Sequence, residues 1–220
     1  MSATGDSGTK EQRAARDHLR AVDGGLAPIV EEHGLVDPYT WPGVPLKKGE
    51  LLPGLALHIV AQQISTKAAL AVFGRLKDML GGAIDPVRLG EATPEEIRTV
   101  GVSNAKARAL HELGQRVGSG EFDLEGLKKA DDATAFEKLN SLRGIGPWSA
   151  NMYMLHELRR PDVFPGGDIG LRKALALLDG EAEPVSIEAA EERAIQWSPF
   201  RSYAAAYLWS YLHDTPAPAV

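Results

Sequence analysis

One stretch limits what this chain can fold into. Residues 142–175 read LRGIGPWSANMYMLHELRRPDVFPGGDIGLRKAL. Gly144, Ile145, Gly146 and Pro147 interrupt two helical patterns, so the chain must reverse direction there. Glycine permits backbone angles and close approaches that a side chain forbids. Pro147 suits the first position of the following helix, where no N–H is needed. Amides at that helix start point outward and suit a phosphate. Phe164-Pro165-Gly166-Gly167 then forms a strong break. Asp168 follows where a helix N-cap belongs, ahead of Ile169, Leu171, Leu175 and Leu178 at helical spacing. The outcome is a helical hairpin followed by a loop that presents one carboxylate.

The rest of the chain is also helical in pattern. Apolar spacing predicts helices over residues 10–22, 27–33, 55–80, 86–90, 93–100, 104–117, 123–130, 132–142, 149–158, 168–178, 187–197 and 200–212. The third is broken near Ser65-Thr66, where a cap restarts it. Thr93-Pro94-Glu95-Glu96 combines a capping Thr, a first-turn Pro and early acids. Residues 37–53 hold four prolines, two glycines and the isolated Trp41, and read as a loop. No strand alternation is evident, so the fold class is all-α. Residues 1–9 read as a disordered N-terminus, residues 10–212 as the helical body, and residues 213–220 as a frayed tail.

With 220 residues, the chain is long enough to bury a substantial core. It has no cysteine, which excludes disulfides, an iron–sulfur cluster and a thiolate zinc site. The N-terminal residues lack the apolar core of a signal peptide, and no apolar run approaches the ~18 residues of a membrane span. A cytoplasmic protein without a membrane partner is expected, nucleoid-associated if bacterial. The net charge of −6 argues against a general nucleic-acid binder. Residues 141–175 differ: five basic and three acidic side chains leave that window at +2 and the remainder at −8. A small basic footprint on an acidic body would bind DNA modestly and in a salt-sensitive way. Ordinary solvated surface would give the same count.

LRGIGPWSAN resembles the hairpin of the helix-hairpin-helix DNA glycosylases, and VFPGGDIGLRKAL resembles their loop carrying the essential aspartate. The 3-methyladenine DNA glycosylase II branch matches best, over roughly residues 51–212. The resemblance implies a two-lobed fold: a lobe holding the helices of residues 55–142, a hairpin at 134–158, a catalytic loop at 161–168 and closing helices at 168–212. Larger members carry an extra N-terminal β-sheet domain. Only about 50 residues, helical in pattern, precede the Leu55 helix here, so that domain is expected to be missing or much reduced. The expected partner is double-stranded DNA with damaged bases, met by a monomer. The expected reaction is hydrolysis of the N-glycosidic bond of an alkylated purine, of the 3-methyladenine or 7-methylguanine type, leaving an abasic site. Two alternatives stay open: a glycosylase of this fold for uracil, hypoxanthine or an oxidised base, and a non-enzymatic hairpin module that only binds DNA.

Breaking the sugar–base bond develops oxocarbenium character, which a carboxylate stabilises, and the same group can orient or deprotonate water. Asp168 is the candidate. An ordinary N-cap aspartate, worth ~1 kcal/mol, is the competing reading, and the two roles can coexist. Relatives that cleave the strand through a Schiff base have a lysine where this chain has Trp148. Tryptophan forms no imine, so a monofunctional enzyme is expected. Trp148 would instead line the base pocket, where an indole face attracts a cationic base by ~1–2 kcal/mol. Trp209 in SPFRSYAAAYLW resembles a second pocket aromatic. Met152 stands where the enteric enzyme has a pocket tyrosine, and Trp41 could reach the pocket from its loop. Tyr203, Tyr207 and Trp197 read as core.

IVAQQIST at residues 59–66 resembles the duplex-invading turn, with Gln63 at the plug position and Gln62 its structural neighbour. Two glutamines capping a helix end would look the same. Phosphate contacts are expected from backbone groups of Gly144, Gly146 and Trp148, and from Lys106 in GVSNAKA, where a plain surface lysine is the competing reading. No cofactor is required. The resemblance implies a structural Na+ or K+ on hairpin carbonyls, with Leu142 and Ile145 as the counterparts. The six histidines lack metal spacing and are assigned no role.

Overall fold

Most helix starts among the described residues carry a capping side chain or an early proline. The computed structural model describes residues 8–214 and contains no strand among them. α1 (Lys10–Val22) opens on a capping box, with Thr9 and Gln12 bonding each other's backbone. Thr9 therefore belongs to the ordered body rather than to a disordered terminus, and His213 and Asp214 lie in the last helix rather than in a tail. The remainder of both expected termini, residues 1–7 and 215–220, lies outside the described residues.

The chain forms two compact units, one from Met1–Thr40 with Arg160–Val220 and one from Trp41–Arg159. The second unit is built around α3 (Leu51–Ala61). All of its residues except Pro53 are buried, as befits a helix apolar on every side. Pro53 was read as the end of the preceding loop. It lies instead in the first turn of α3, where a missing N–H costs nothing. α4 (Thr66–Met79) restarts after a Ser65 cap, α5 (Pro86–Glu91) after Asp85, and α6 (Pro94–Arg98) after a Thr93–Glu96 capping box. α7 (Asn104–Gly118) starts at Ser103, α8 (Leu124–Leu127) at Asp123 and α9 (Asp132–Asn140) at Asp131. α10 (Pro147–His156) closes the unit. α5 and α7 cross backbone to backbone: a Cβ on Gly114 would lie 2.3 Å from the Gly90 nitrogen, so both positions require glycine.

The first unit joins α1 and α2 (Ala27–His33) to α11 (Ile169–Leu178), α12 (Ile187–Ala194), a 3-10 turn at Ile195–Trp197 and α13 (Arg201–Asp214). Asp23 is its buried polar centre. It accepts hydrogen bonds from the Gly25 and Leu26 amides, from the indole of fully buried Trp197 at 2.9 Å, and from Arg193. Tyr203 and Tyr207 are core, as expected. Their hydroxyls donate to Glu11 and to the Gly34 carbonyl, both at 2.6 Å. No helix among the described residues is long and apolar enough to cross a membrane.

Candidate functional site

The hairpin lies wholly in the second unit. After α9, the Ile145 amide donates to the Leu142 carbonyl at 3.1 Å and closes a tight turn. Gly144 has φ +79°, and a Cβ there would sit 2.8 Å from the Ala109 methyl of α7. Both the angle and the space demand glycine. Gly146 is different. Its φ of −95° is open to any residue, and no protein atom lies within 4 Å of an added Cβ. Its missing side chain leaves the main chain bare toward the outside. Pro147 takes the first helical position, as the sequence implied, and Trp148 and Ser149 follow in the turn whose amides have no acceptor within the helix.

Beside this helix start the chain makes a second sharp turn. α3 ends at Ala61, Gln62 turns extended, and Gln63 adopts φ +60°, a left-handed angle rare for a residue with a side chain. The Gln62 amide group donates to the Gly144 carbonyl at 2.7 Å and to the Ser149 hydroxyl at 3.1 Å. Gln62 thus ties the turn to the hairpin and also ends a helix. Gln63 projects exposed, with Ile64 beside it 42% exposed. The two turns enclose a concavity of about 480 Å³ lined by Gln62, Gln63 and residues 144–149. Its lining combines the two glutamines, the glycine main chain, Ile145, Pro147, Trp148 and Ser149.

Lys106 requires a correction. It was read as a phosphate ligand or a plain surface lysine. Its ammonium instead turns inward and donates to the Val60 carbonyl at 2.9 Å and the Gln62 carbonyl at 2.6 Å. The C-terminal end of α3 offers carbonyls without donors from the helix, and these hold the cation. Partial burial lowers its pKa.

In the first unit, Asp168 is the N-cap of α11. One of its carboxylate oxygens accepts from the Leu171 amide at 3.0 Å and from the Trp209 indole N–H at 3.1 Å. The carboxylate is half-buried, and Gly170 makes room for it: a Cβ there would lie 2.9 Å from the same oxygen. α13 anchors the loop leading to it. The Ser202 hydroxyl is buried, donates to the Arg160 carbonyl at 2.6 Å and accepts from the Val163 amide at 3.1 Å. Asp162 pairs with Arg201 at 2.8 Å, and these bonds with Arg201 and Ser198 hold its carboxyl below the usual carboxylate range against the opposing effect of burial. Phe164 packs edge-on against Trp197. The sequence singles out Asp168 and Trp209 but not Ser202 and Gly170, which lie in the same two segments and act through contacts only the fold creates.

Trp148 is half-buried in the hairpin concavity. Met152 is 8% exposed and counts among the buried hydrophobic residues. Trp41 stacks on two imidazoles, His58 at 4.9 Å and His156 at 5.4 Å. The histidines therefore do have a structural use that spacing did not reveal: one from α3 and one from α10 form a floor under the indole. Burial, aided by His58, pushes the His156 pKa down to about 3, so the ring is neutral. Among the described residues no group of three or more His, Cys, Asp or Glu side chains is placed to hold a metal. The Leu142 and Ile145 carbonyls, neutral and without a carboxylate in the set, fit only a weakly held monovalent ion, and the Leu142 oxygen already accepts the Ile145 amide.

Comparison with known proteins agrees with this arrangement. Residues 57–199 match the model of the HhH-GPD superfamily base excision DNA repair protein family. DNA-3-methyladenine glycosylase 1 of Schizosaccharomyces pombe is 30% identical over 93% of this chain and 90% of its own length. A DNA-3-methyladenine glycosylase of Bacillus subtilis is 27% identical over 74% of this chain, which spans 58% of that protein's length. The solved structure of the S. pombe enzyme Mag1 in complex with abasic DNA matches with a TM-score of 0.79 at 27% identity, covering 90% of this chain and 95% of Mag1.

Proposed function

Because the chain belongs to the HhH-GPD superfamily of base excision DNA repair proteins, we propose that it hydrolyses the N-glycosidic bond of alkylated purines, of the 3-methyladenine and 7-methylguanine type, in double-stranded DNA. The observation that carries the reading is Asp168. A Pro/Gly loop presents its carboxylate at a helix start, and two N–H groups orient one oxygen. The carboxylate so held is the group to face the sugar.

The chemistry follows from these groups. A base alkylated at a ring nitrogen is cationic and leaves as a neutral molecule, so no dedicated general acid is needed. As the C1′–N bond breaks, positive charge grows on the sugar and the Asp168 carboxylate stabilises it. Water then bonds to C1′, its proton passing to Asp168 or to solvent, and an abasic site remains. Trp148 supplies no amine, so the strand is left uncut. Trp148 and Trp209 offer indole faces to a cationic base, with Met152 and Trp41 as further pocket candidates. The backbone groups of Gly144, Gly146 and Trp148 grip a phosphate. The Leu142 and Ile145 carbonyls would hold a Na+ or K+ ion, which when bound adds positive charge at that phosphate. Gln63 enters the duplex and fills the space the base leaves, while eversion itself costs a few kcal/mol. The protein acts as a monomer in the cytoplasm, on the nucleoid if bacterial.

The deciding measurement is release of free 3-methyladenine and 7-methylguanine from methylated duplex DNA. Wild type releases both. Asp168→Asn releases neither while still binding DNA, and equal release by the two proteins overturns the assignment. Borohydride traps no protein–DNA adduct, whereas a robust adduct contradicts hydrolysis by water.

A further inference from the structure

Lys106 occupies a place that its own helix does not favour. It lies in the first turn of α7, where the Ser103 hydroxyl caps its amide. A cation at that end opposes the helix dipole, and partial burial adds a desolvation cost. What its side chain does bond is the end of a different helix. The last carbonyls of α3 have no donors within the helix. The chain cannot continue to supply them, because Gln62 turns extended and Gln63 left-handed. The Ile64 amide reaches back to the Ala61 carbonyl only at 3.4 Å. The Lys106 ammonium bonds the Val60 and Gln62 carbonyls, one on each side of the point where α3 stops.

We propose that Lys106 is a positioning residue: its ammonium fixes the main chain at Gln62 so that Gln63 stays in its left-handed turn beside the hairpin, shaped to enter a duplex. The proposal rests on the glycosylase reading above. Two anchors then hold Gln62. Its side chain is bonded to the hairpin and its carbonyl to α7. A residue so clamped cannot swing, and the next residue inherits its direction. A lysine suits the task because one flexible stem ends in several donors that spread over two carbonyls.

The test uses the whole protein with Lys106→Met, which keeps the apolar stem and removes the donors, and Lys106→Arg, which restores them. Amide hydrogen exchange at residues 63–65 should rise about tenfold in Lys106→Met, with α7 unchanged. Single-turnover base release should fall about tenfold or more from a fully paired lesion. It should fall less than about threefold when the lesion faces an abasic-site analogue, where eversion is easier. Lys106→Arg should recover most of both losses. Unchanged exchange overturns the proposal, as does an equal loss on both substrates. If wild type releases no base from either substrate, the glycosylase reading fails, while the exchange measurement still reports whether Lys106 holds the turn.

Discussion

On the proposed function Asp168 has two roles for one carboxylate, and substitutions can separate them. As an N-cap it accepts the Leu171 amide. As a reactive group it must be an anion. Asparagine caps helices as well as aspartate does. Asp168→Asn should therefore melt within a degree or two of wild type and release no base. Asp168→Ala should lose the same activity and also about 1 kcal/mol of stability, read as a drop of about 2–4 °C in Tm. A large Tm loss in Asp168→Asn would mean that the charge, rather than the cap, stabilises α11. Trp209 supplies the second bond to the same oxygen. Trp209→Phe keeps the ring and removes the donor. Losing one hydrogen bond to a charged group should lower the single-turnover rate by about tenfold, with DNA binding unchanged.

At the scale of elements, two turns do the positioning. Gln63 holds φ +60° at a cost of about 1 kcal/mol. Gln63→Gly relieves that strain and removes the side chain proposed to fill the stack. Its expected signature is a protein as stable as wild type or slightly more so, with slower release from a paired lesion than from one facing an abasic-site analogue. Gly144 gives the opposite case. Its φ of +79° and the 2.8 Å approach to Ala109 leave no room for a methyl group. Gly144→Ala should cost about 1–3 kcal/mol in urea unfolding and weaken duplex binding, because the hairpin and the Gln62 anchor move together. Gly146→Ala should leave stability unchanged, since open space surrounds that position. Any loss in it would then report the contact with DNA alone.

At the scale of the whole molecule, charge and protons set the conditions of work. The chain carries −6 overall, so on the proposed function a small footprint grips DNA and the rest of the surface repels it. A shallow salt dependence follows, with a slope of log K against log salt of roughly −2 to −4. A slope near −8 would require a broad basic face. Acid acts through His156. Folded, the ring stays neutral down to about pH 3; unfolded, it takes a proton near 6.5. Below the unfolded value the unfolded chain therefore binds more protons. Stability is complete above pH 6.5 and falls as pH drops toward 3. The slope contributed is at most about 1.4 kcal/mol per pH unit. Urea midpoints between pH 7.5 and 4.5 should show it, and His156→Phe, which keeps a ring under Trp41, should flatten it. An unchanged slope would place the acid sensitivity elsewhere.

What the sequence alone determined is local. Capping residues, Pro at helix starts and 3.6-residue spacing act within a few positions, so the helices, the Gly144–Pro147 turn and the cap position of Asp168 were legible without a fold. Tertiary structure decided which distant groups meet. Lys106 looked like a surface lysine until α7 brought it to the end of α3, 46 and 44 positions away from its two acceptors. Ser202 looked like any helical serine until it met the carbonyl of Arg160. His58 and His156 had no metal spacing because their use is to stack beneath Trp41, which spacing does not encode. The physical reason is range. Backbone preference and capping are fixed by near neighbours, whereas a buried donor finds its acceptor only once the core has chosen how the helices pack.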